Sequence, residues 1–210
     1  SPVPGLAGRE DPILEDFVVK LDADGRQVER FSLVDAVAES DYRRILRNWF
    51  DAGVKWDLLH ANDVDVVGPR FASHHDFARA GQLLVSLRSL NALALVDPAN
   101  KRVVWATRGP WVRQHDPDMQ ADGTILLYDN KGHGGPGGGA RLLEFDPSDG
   151  RISWSFSGTA EQPFRSIWGG KQARLPNGNI LATEPVCGRI IEVTPAGDVA
   201  WRFHNPERRT

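Results

Sequence analysis

RLLEFDPSDGRISWSF, residues 141–156, reads as two apolar alternating strands around a tight reversal. Leu, Phe, Ile and Trp alternate with polar residues on either side, as in strands with one buried face. The reversal at Asp146–Gly150 combines the preset φ of proline with a glycine that tolerates positive φ. Three other segments share the pattern: FVVKLDADGRQVERF (17–31), ALALVDPANKRVVWAT (92–107) and RIIEVTPAGDVAWRF (189–203). In three of the four copies the second strand carries a tryptophan, and Trp105, Trp154 and Trp201 recur at intervals of 49 and 47 residues.

A further strand precedes each of the last three hairpins: GQLLVSLR (81–88), GTILLYDN (123–130) and GNILATEP (178–185). Before these lie LLHANDVDVV (58–67), QHDPDMQADG (114–123) and KQARLPNGN (171–179). Each unit is therefore four short strands in about 48 residues, the period and content of a β-propeller blade. The expected fold is all-β, with about four blades of four antiparallel strands in this chain. The first unit is irregular. Its hairpin runs into SLVDAVAESDYRRILRNWF (32–50), where Ser32 is a candidate N-cap and Leu33, Val37, Ile45, Leu46 and Trp49 recur at near-helical spacing. That spacing predicts a short helical insertion over 33–50, broken near Glu39-Ser40-Asp41 and packed against the outside of the propeller. Residues 1–14 read as a linker, 15–206 as the propeller domain and 207–210 as a tail.

Composition narrows the function classes. The 210 residues carry 25 Lys plus Arg and 28 Asp plus Glu, a formal charge of −3, which argues against a dedicated nucleic-acid binder. Hydrophobic residues make up 40%, enough for a packed core. The single cysteine, Cys187, excludes an intramolecular disulfide framework and a Cys-rich zinc site, and no His lies beside it to make a catalytic thiol. No run approaches a transmembrane helix in length, and the opening SPVPG is not a signal peptide.

In a propeller, residues at equivalent repeat positions meet around one axis, so repeat alignment becomes a site expectation. His60 and His115 open corresponding strands. Arg88 and Asn130 each lie seven residues after a strand-starting glycine, and Glu184 sits one place earlier in its repeat. Arg141 and Arg189 both begin the following strand. Two His with Arg and Asn suit an anionic group: Arg offers a planar fork of donors, and His can donate, attack or move a proton near neutral pH.

These segments, in this order and spacing over about residues 15–206, resemble the bacterial arylsulfotransferase (ASST-like) propeller family. The resemblance implies a six-bladed ring and ping-pong sulfuryl transfer between phenols through a transiently sulfurylated His, with no external cofactor. It aligns His60 in LLHAN and His115 in QHDPD with family funnel His residues, and Arg141 with the family Arg. His115 is the expected nucleophile, oriented by Asp116 or Asp118, with His60 and Arg141 on the sulfuryl oxygens. Arg88, Asn130, Lys171, Gln172 and Glu184 are expected to line the substrate site. The expected partner is a small anionic or aromatic substrate, with self-association or further blades completing the ring. The implied location is periplasmic or extracytoplasmic, with membrane anchoring through an N-terminal segment outside this sequence.

A third family His is expected before LPNGN, where this chain has Gln172, with Lys171 beside it. Glutamine cannot carry a sulfuryl group as a nucleophile, so a non-catalytic ligand-binding or scaffold propeller stands as an alternative. A metal-dependent, lactonase-type hydrolase using Asp63 or Asp116 is the enzymatic rival. The pair His74-His75 before Asp76 does not by itself complete a coordination sphere, and no metal site is expected. KGHGGPGGG (131–139) lacks the Gly-Lys-Ser/Thr ending of a P-loop and reads as a mobile connection, from which His133 could reach a ligand.

Overall fold

The computed structural model describes residues 13–46, 56–133 and 139–207. The chain divides into two compact units, Ser1–Arg108 and Gly109–Thr210. Trp49 and most of the glycine-rich connection lie outside the described residues.

Unit 1 opens with the hairpin β1 (Phe17–Leu21) and β2 (Gln27–Ser32). Ser32 caps α1 (Leu33–Ala38) by accepting the Asp35 N–H at 3.1 Å. The helix ends at Glu39, and a 3-10 turn follows at 43–46, so the expected break is present. α1 packs its apolar residues against its own unit. Leu33, Val34, Ala36 and Val37 are buried in one cluster with Phe31 of β2 and with Val85, Leu87, Ala92, Ala94 and Val96. Five apolar residues in six leave the short helix only Asp35 as a polar position to show to solvent. The four-stranded sheet of this unit is β3 (Ala61–Val66), β4 (Leu83–Leu87), β5 (Ala92–Asp97) and β6 (Arg102–Arg108), paired in chain order, with α2 (Pro69–Ala72) between β3 and β4.

Unit 2 contains two such sheets. The first is β7 (His115–Met119), β8 (Ile125–His133), β9 (Gly139–Phe145) and β10 (Ile152–Phe156). The second is β11 (Gln172–Arg174), β12 (Ile180–Glu184), β13 (Arg189–Val193) and β14 (Val199–His204). Both pair consecutive strands in antiparallel order. The two pack through Leu126, Tyr128, Leu142 and Phe156 on one side and Ile180, Ala182, Ile191 and Val193 on the other, with Phe164 among them.

The hairpins repeat down to one residue. Each has a register shift beside its turn: before it at Lys20/Leu21, Leu95/Val96 and Glu192/Val193, and after it at Ile152/Trp154. A bulge there adds local twist where the strand must reverse. The turns share side-chain ties as well. Asp22, Asp97 and Asp146 accept a backbone N–H two residues on, at 2.9, 2.9 and 2.8 Å. Thr194 Oγ1 accepts the Asp198 N–H at 3.1 Å. The Asn100 side chain also donates to Asp97 and holds its carboxyl below the ordinary value. The protein is thus all-β apart from short helices, with repeated four-stranded sheets of propeller-blade type.

Candidate functional site

Of the two histidines that open corresponding strands, one occupies left-handed backbone and the other lies close to it. His60 has φ +49°, and Arg113, two residues before His115, and Asp116, the residue after it, have φ +58° and +51°. Non-glycine residues adopt this left-handed region at a cost, and such strain clusters at functional positions. His60 belongs to unit 1 and His115 to unit 2, and each site is built from its own unit.

In unit 2, β7 begins at His115 and β8 carries Asn130. The His115 Nδ1 lies 2.8 Å from Asn130 Oδ1 and 3.1 Å from the Arg113 carbonyl. Asn130 is fully buried, and its Nδ2 donates to the carbonyls of Ser166 and Gly169, each at 2.7 Å. Two carbonyl acceptors fix the amide orientation, so Oδ1 faces the ring as an acceptor. The proton of neutral His115 therefore sits on Nδ1, and Nε2 carries the lone pair. The orienting role expected of a neighbouring carboxylate belongs to Asn130. Asp116 is instead directed at the next sheet: its carboxylate accepts the Gln172 N–H at 2.8 Å and pairs with Lys171 at 2.5 Å.

Gln172 is buried, and its side-chain amide donates to the Asp116 carbonyl, tying β7 to β11. It is placed as a clamp between sheets. Lys171 is largely exposed and its ammonium reaches the buried Asp116.

Arg141 and Glu184 belong to a repeated latch. Arg141 lies in β9 opposite Asp129, donating from Nε at 2.9 Å to a carboxylate with no exposure, and its other arm donates to the Pro110 carbonyl. The second oxygen of that acid, Asp129 Oδ1, accepts the Val112 and Gly132 N–H groups at 2.9 and 2.7 Å. In the next sheet Arg189 pairs with buried Glu184, Glu184 accepts the Arg165 N–H at 2.8 Å, and Arg189 donates to the Pro163 carbonyl at 2.7 Å. Its hydrogen bond to Glu184 raises the pKa of Arg189. The guanidinium of Arg141, expected on an anion, is thus engaged with Asp129 and a carbonyl.

In unit 1, the carboxylate of Asp57 accepts a hydrogen bond from His60 Nδ1. Asp16 accepts the backbone N–H groups of Ala61 and His60. Burial, reinforced by the negative charge of Asp57, raises the Asp16 pKa above 3.8. Arg88 is half-buried at a 3-10 turn, its backbone N–H donating to the His60 carbonyl at 3.3 Å. The sequence reading missed Asp57, although its position three residues before His60 was a usable signal.

His75 is buried between Phe71 and Phe77, with ring centroids 4.8 Å apart on each side, and Phe77 stacks on Trp105. Its place is an aromatic stack. Among the described residues, no group of three or more His, Cys, Asp or Glu is arranged to hold a metal ion. Lys131–His133 continue β8 and are part of a strand. A cavity of about 740 Å³ in unit 2 is lined by Arg165, Cys187, Arg189, Arg202 and His204, and His115 is not part of that lining.

Several solved structures are similar to this chain. A protein of unknown function from Bacteroides caccae is 13% identical, with 92% of this chain and 58% of that chain covered at a TM-score of 0.49. A streptogramin B lyase is 12% identical, covering 89% and 47% at a TM-score of 0.50. The WD40 β-propeller domain of Doa1 is 16% identical, covering 70% and 41% at 0.46. This chain spans about half the length of these structures. No curated protein matches it. The family model described as Arylsulfotransferase (ASST) matches residues 3–206, and the chain therefore belongs to the arylsulfotransferase (ASST) family.

Proposed function

We propose that the repeated sheets are blades of a propeller and that His115 carries a sulfuryl group between an aryl sulfate and a phenolic acceptor. The observation that supports this most is the fixed tautomer of His115, with Nδ1–H held by Asn130 and the Arg113 carbonyl. A nucleophilic imidazole needs one nitrogen bearing a lone pair and the other nitrogen held. The Nε2 lone pair forms the N–S bond as the S–O bond to the aryl group breaks, and the phenoxide leaves with that electron pair. The resulting imidazolium is stabilised through Nδ1–H by two acceptor dipoles. In the second half-reaction a phenol oxygen forms the new S–O bond, the N–S electrons return to Nε2, and the phenol proton passes to solvent.

Two features favour a second reading, a non-catalytic propeller. Gln172 sits where a further family His was expected, with its amide engaged on backbone, and Arg141 is held in a structural latch. Labelling with a radioactive aryl sulfate separates the two. The first reading expects one covalent label per chain, lost in His115→Ala and slowed about 10–100-fold in Asn130→Ala, the scale on which a residue orienting a histidine acts. Absence of labelling in the wild type supports the non-catalytic reading. Undiminished labelling of His115→Ala overturns the assignment of the nucleophile.

A further inference from the structure

Unit 2 shows what one blade-type sheet uses to hold the next. The outgoing face of β7–β10 presents Leu126, Tyr128, Leu142 and Phe156, at 7% exposure or less, and half-buried Trp154. The incoming face of β11–β14 presents Ile180, Ala182, Ile191 and Val193. Polar ties frame the contact: Trp154 Nε1 donates to the Pro195 carbonyl at 2.9 Å, and Arg174 pairs with Glu144.

The repeat register carries this outgoing face onto the last sheet. Leu181, Thr183, Ile190, Trp201 and Phe203 stand where Leu126, Tyr128, Leu142, Trp154 and Phe156 stand one sheet earlier. Here the face is bare. Trp201 and Phe203 are 49% and 44% exposed, with near-parallel rings 6.5 Å apart. Glu192, in the place of Glu144, is on this face and is bound by Asn177 and Asn179 of its own sheet.

The complementary face is bare at β1. By the same register, Phe17, Val19 and Leu21 occupy the positions of Arg189, Ile191 and Val193, an incoming face, and they are 36%, 44% and 55% exposed. Val18 and Phe31, on the opposite side of the hairpin, pack into the core of unit 1. Arg30 lies on the bare side over the Phe17 ring, opposite in charge to Glu192.

We propose that these two faces are partners between copies: the outgoing face of β11–β14 on one chain docks on the incoming face of β1–β2 on a second copy. The contact continues the interface already present within unit 2, with the same classes of side chain on each side. It is heterologous, so two different patches meet.

Light scattering on the purified chain across a concentration series tests this, with Trp201→Glu/Phe203→Glu and Phe17→Glu/Val19→Glu as variants. These side chains are exposed, so both variants should keep the wild-type circular dichroism. The wild type is expected to have a mass of at least twice 23.2 kDa, and each variant alone a mass of 23.2 kDa. Mixing the two variants should restore a 1:1 pair, because each retains one intact face. A wild type that stays at 23.2 kDa up to a few hundred micromolar overturns the proposal and assigns the faces to another occupant. So does association that survives either variant, or variants that fail to pair on mixing.

Discussion

The blade-type sheet of unit 1 and the two of unit 2 meet the same local problem with different chemistry. Where the second strand hands over to the third, the loop entering the sheet has backbone groups that need partners. In unit 2 a carboxylate accepts from the entering loop and the Arg opposite donates to it, at Asp129/Arg141 and again at Glu184/Arg189. In unit 1 the equivalent register pair is Leu87 and Ala92, both buried and apolar. There the tie is made by backbone: Ser89 N–H to the Leu59 carbonyl at 2.9 Å and Arg88 N–H to the His60 carbonyl. An apolar handover merges with the core that receives α1, whereas a charged one stands alone and needs all of its parts. The same fold position can therefore be held by packing or by a closed set of ionic hydrogen bonds, and the two should fail differently when one member is removed.

The largest effect is expected at Asp129. Replacing it with Ala leaves Arg141 without its carboxylate and strands the Val112 and Gly132 N–H groups, which should cost about 3–5 kcal/mol in urea unfolding. Asp129→Leu combined with Arg141→Leu should be much less damaging than Asp129→Ala, because no buried charge remains. Equal losses in the single and double variants would erase the distinction between the handovers. Leu87→Ala in unit 1 comes next, at about 3 kcal/mol, from lost burial and the cavity left behind. Its cost should be unchanged by added salt, and a salt-dependent cost would show that charge contributes there too.

The smallest expected effect refines the contrast. Unit 1 holds a half-buried carboxylate beside a second one, Asp16 next to Asp57, and the Asp16 pKa is raised. A raised folded pKa means the native state binds this proton more tightly than the unfolded chain, so stability falls as pH rises from the ordinary value through the folded one. Asp16→Asn should therefore raise the melting temperature slightly at pH 7, with the gain fading towards pH 3. A loss at pH 7 would mean that the backbone hydrogen bonds to Asp16 outweigh its burial.

The strands were legible because their physics is local. Alternation in RLLEF and RIIEV shows which side is buried, and an Asp or Thr three or four residues before a Gly or Asn marks each reversal. Ser32 as a cap and the break after Ala38 were readable for the same reason. The environment of α1 was not, since six residues with five apolar ones do not say which surface they cover. The site was half legible. Repeat alignment picked out His60, His115 and Asn130, and the last two do meet. What spacing could not show is partnership across strands. Arg141 looked available for an anion because Asp129, twelve residues earlier and across a glycine-rich connection, gives no local sign of facing it. Asn130 likewise depends on the Ser166 and Gly169 carbonyls, some forty residues downstream, for the amide orientation that sets the His115 tautomer.

Strand order in every four-stranded sheet follows chain order, each strand pairing only with its sequence neighbours. Among the described residues, the ladders of the four-stranded sheets are thus closed inside one repeat, and no named strand crosses from one sheet to another. A gene segment encoding one repeat can then be duplicated, lost or exchanged without breaking the ladder of any repeat that remains. What must be re-established is only the face-to-face fit and a few ties such as Asp116 to Gln172 and Glu144 to Arg174. Recombination within this family should therefore change repeat number more readily than strand number, and the junctions that succeed should fall in the connections ahead of His115 and Gln172.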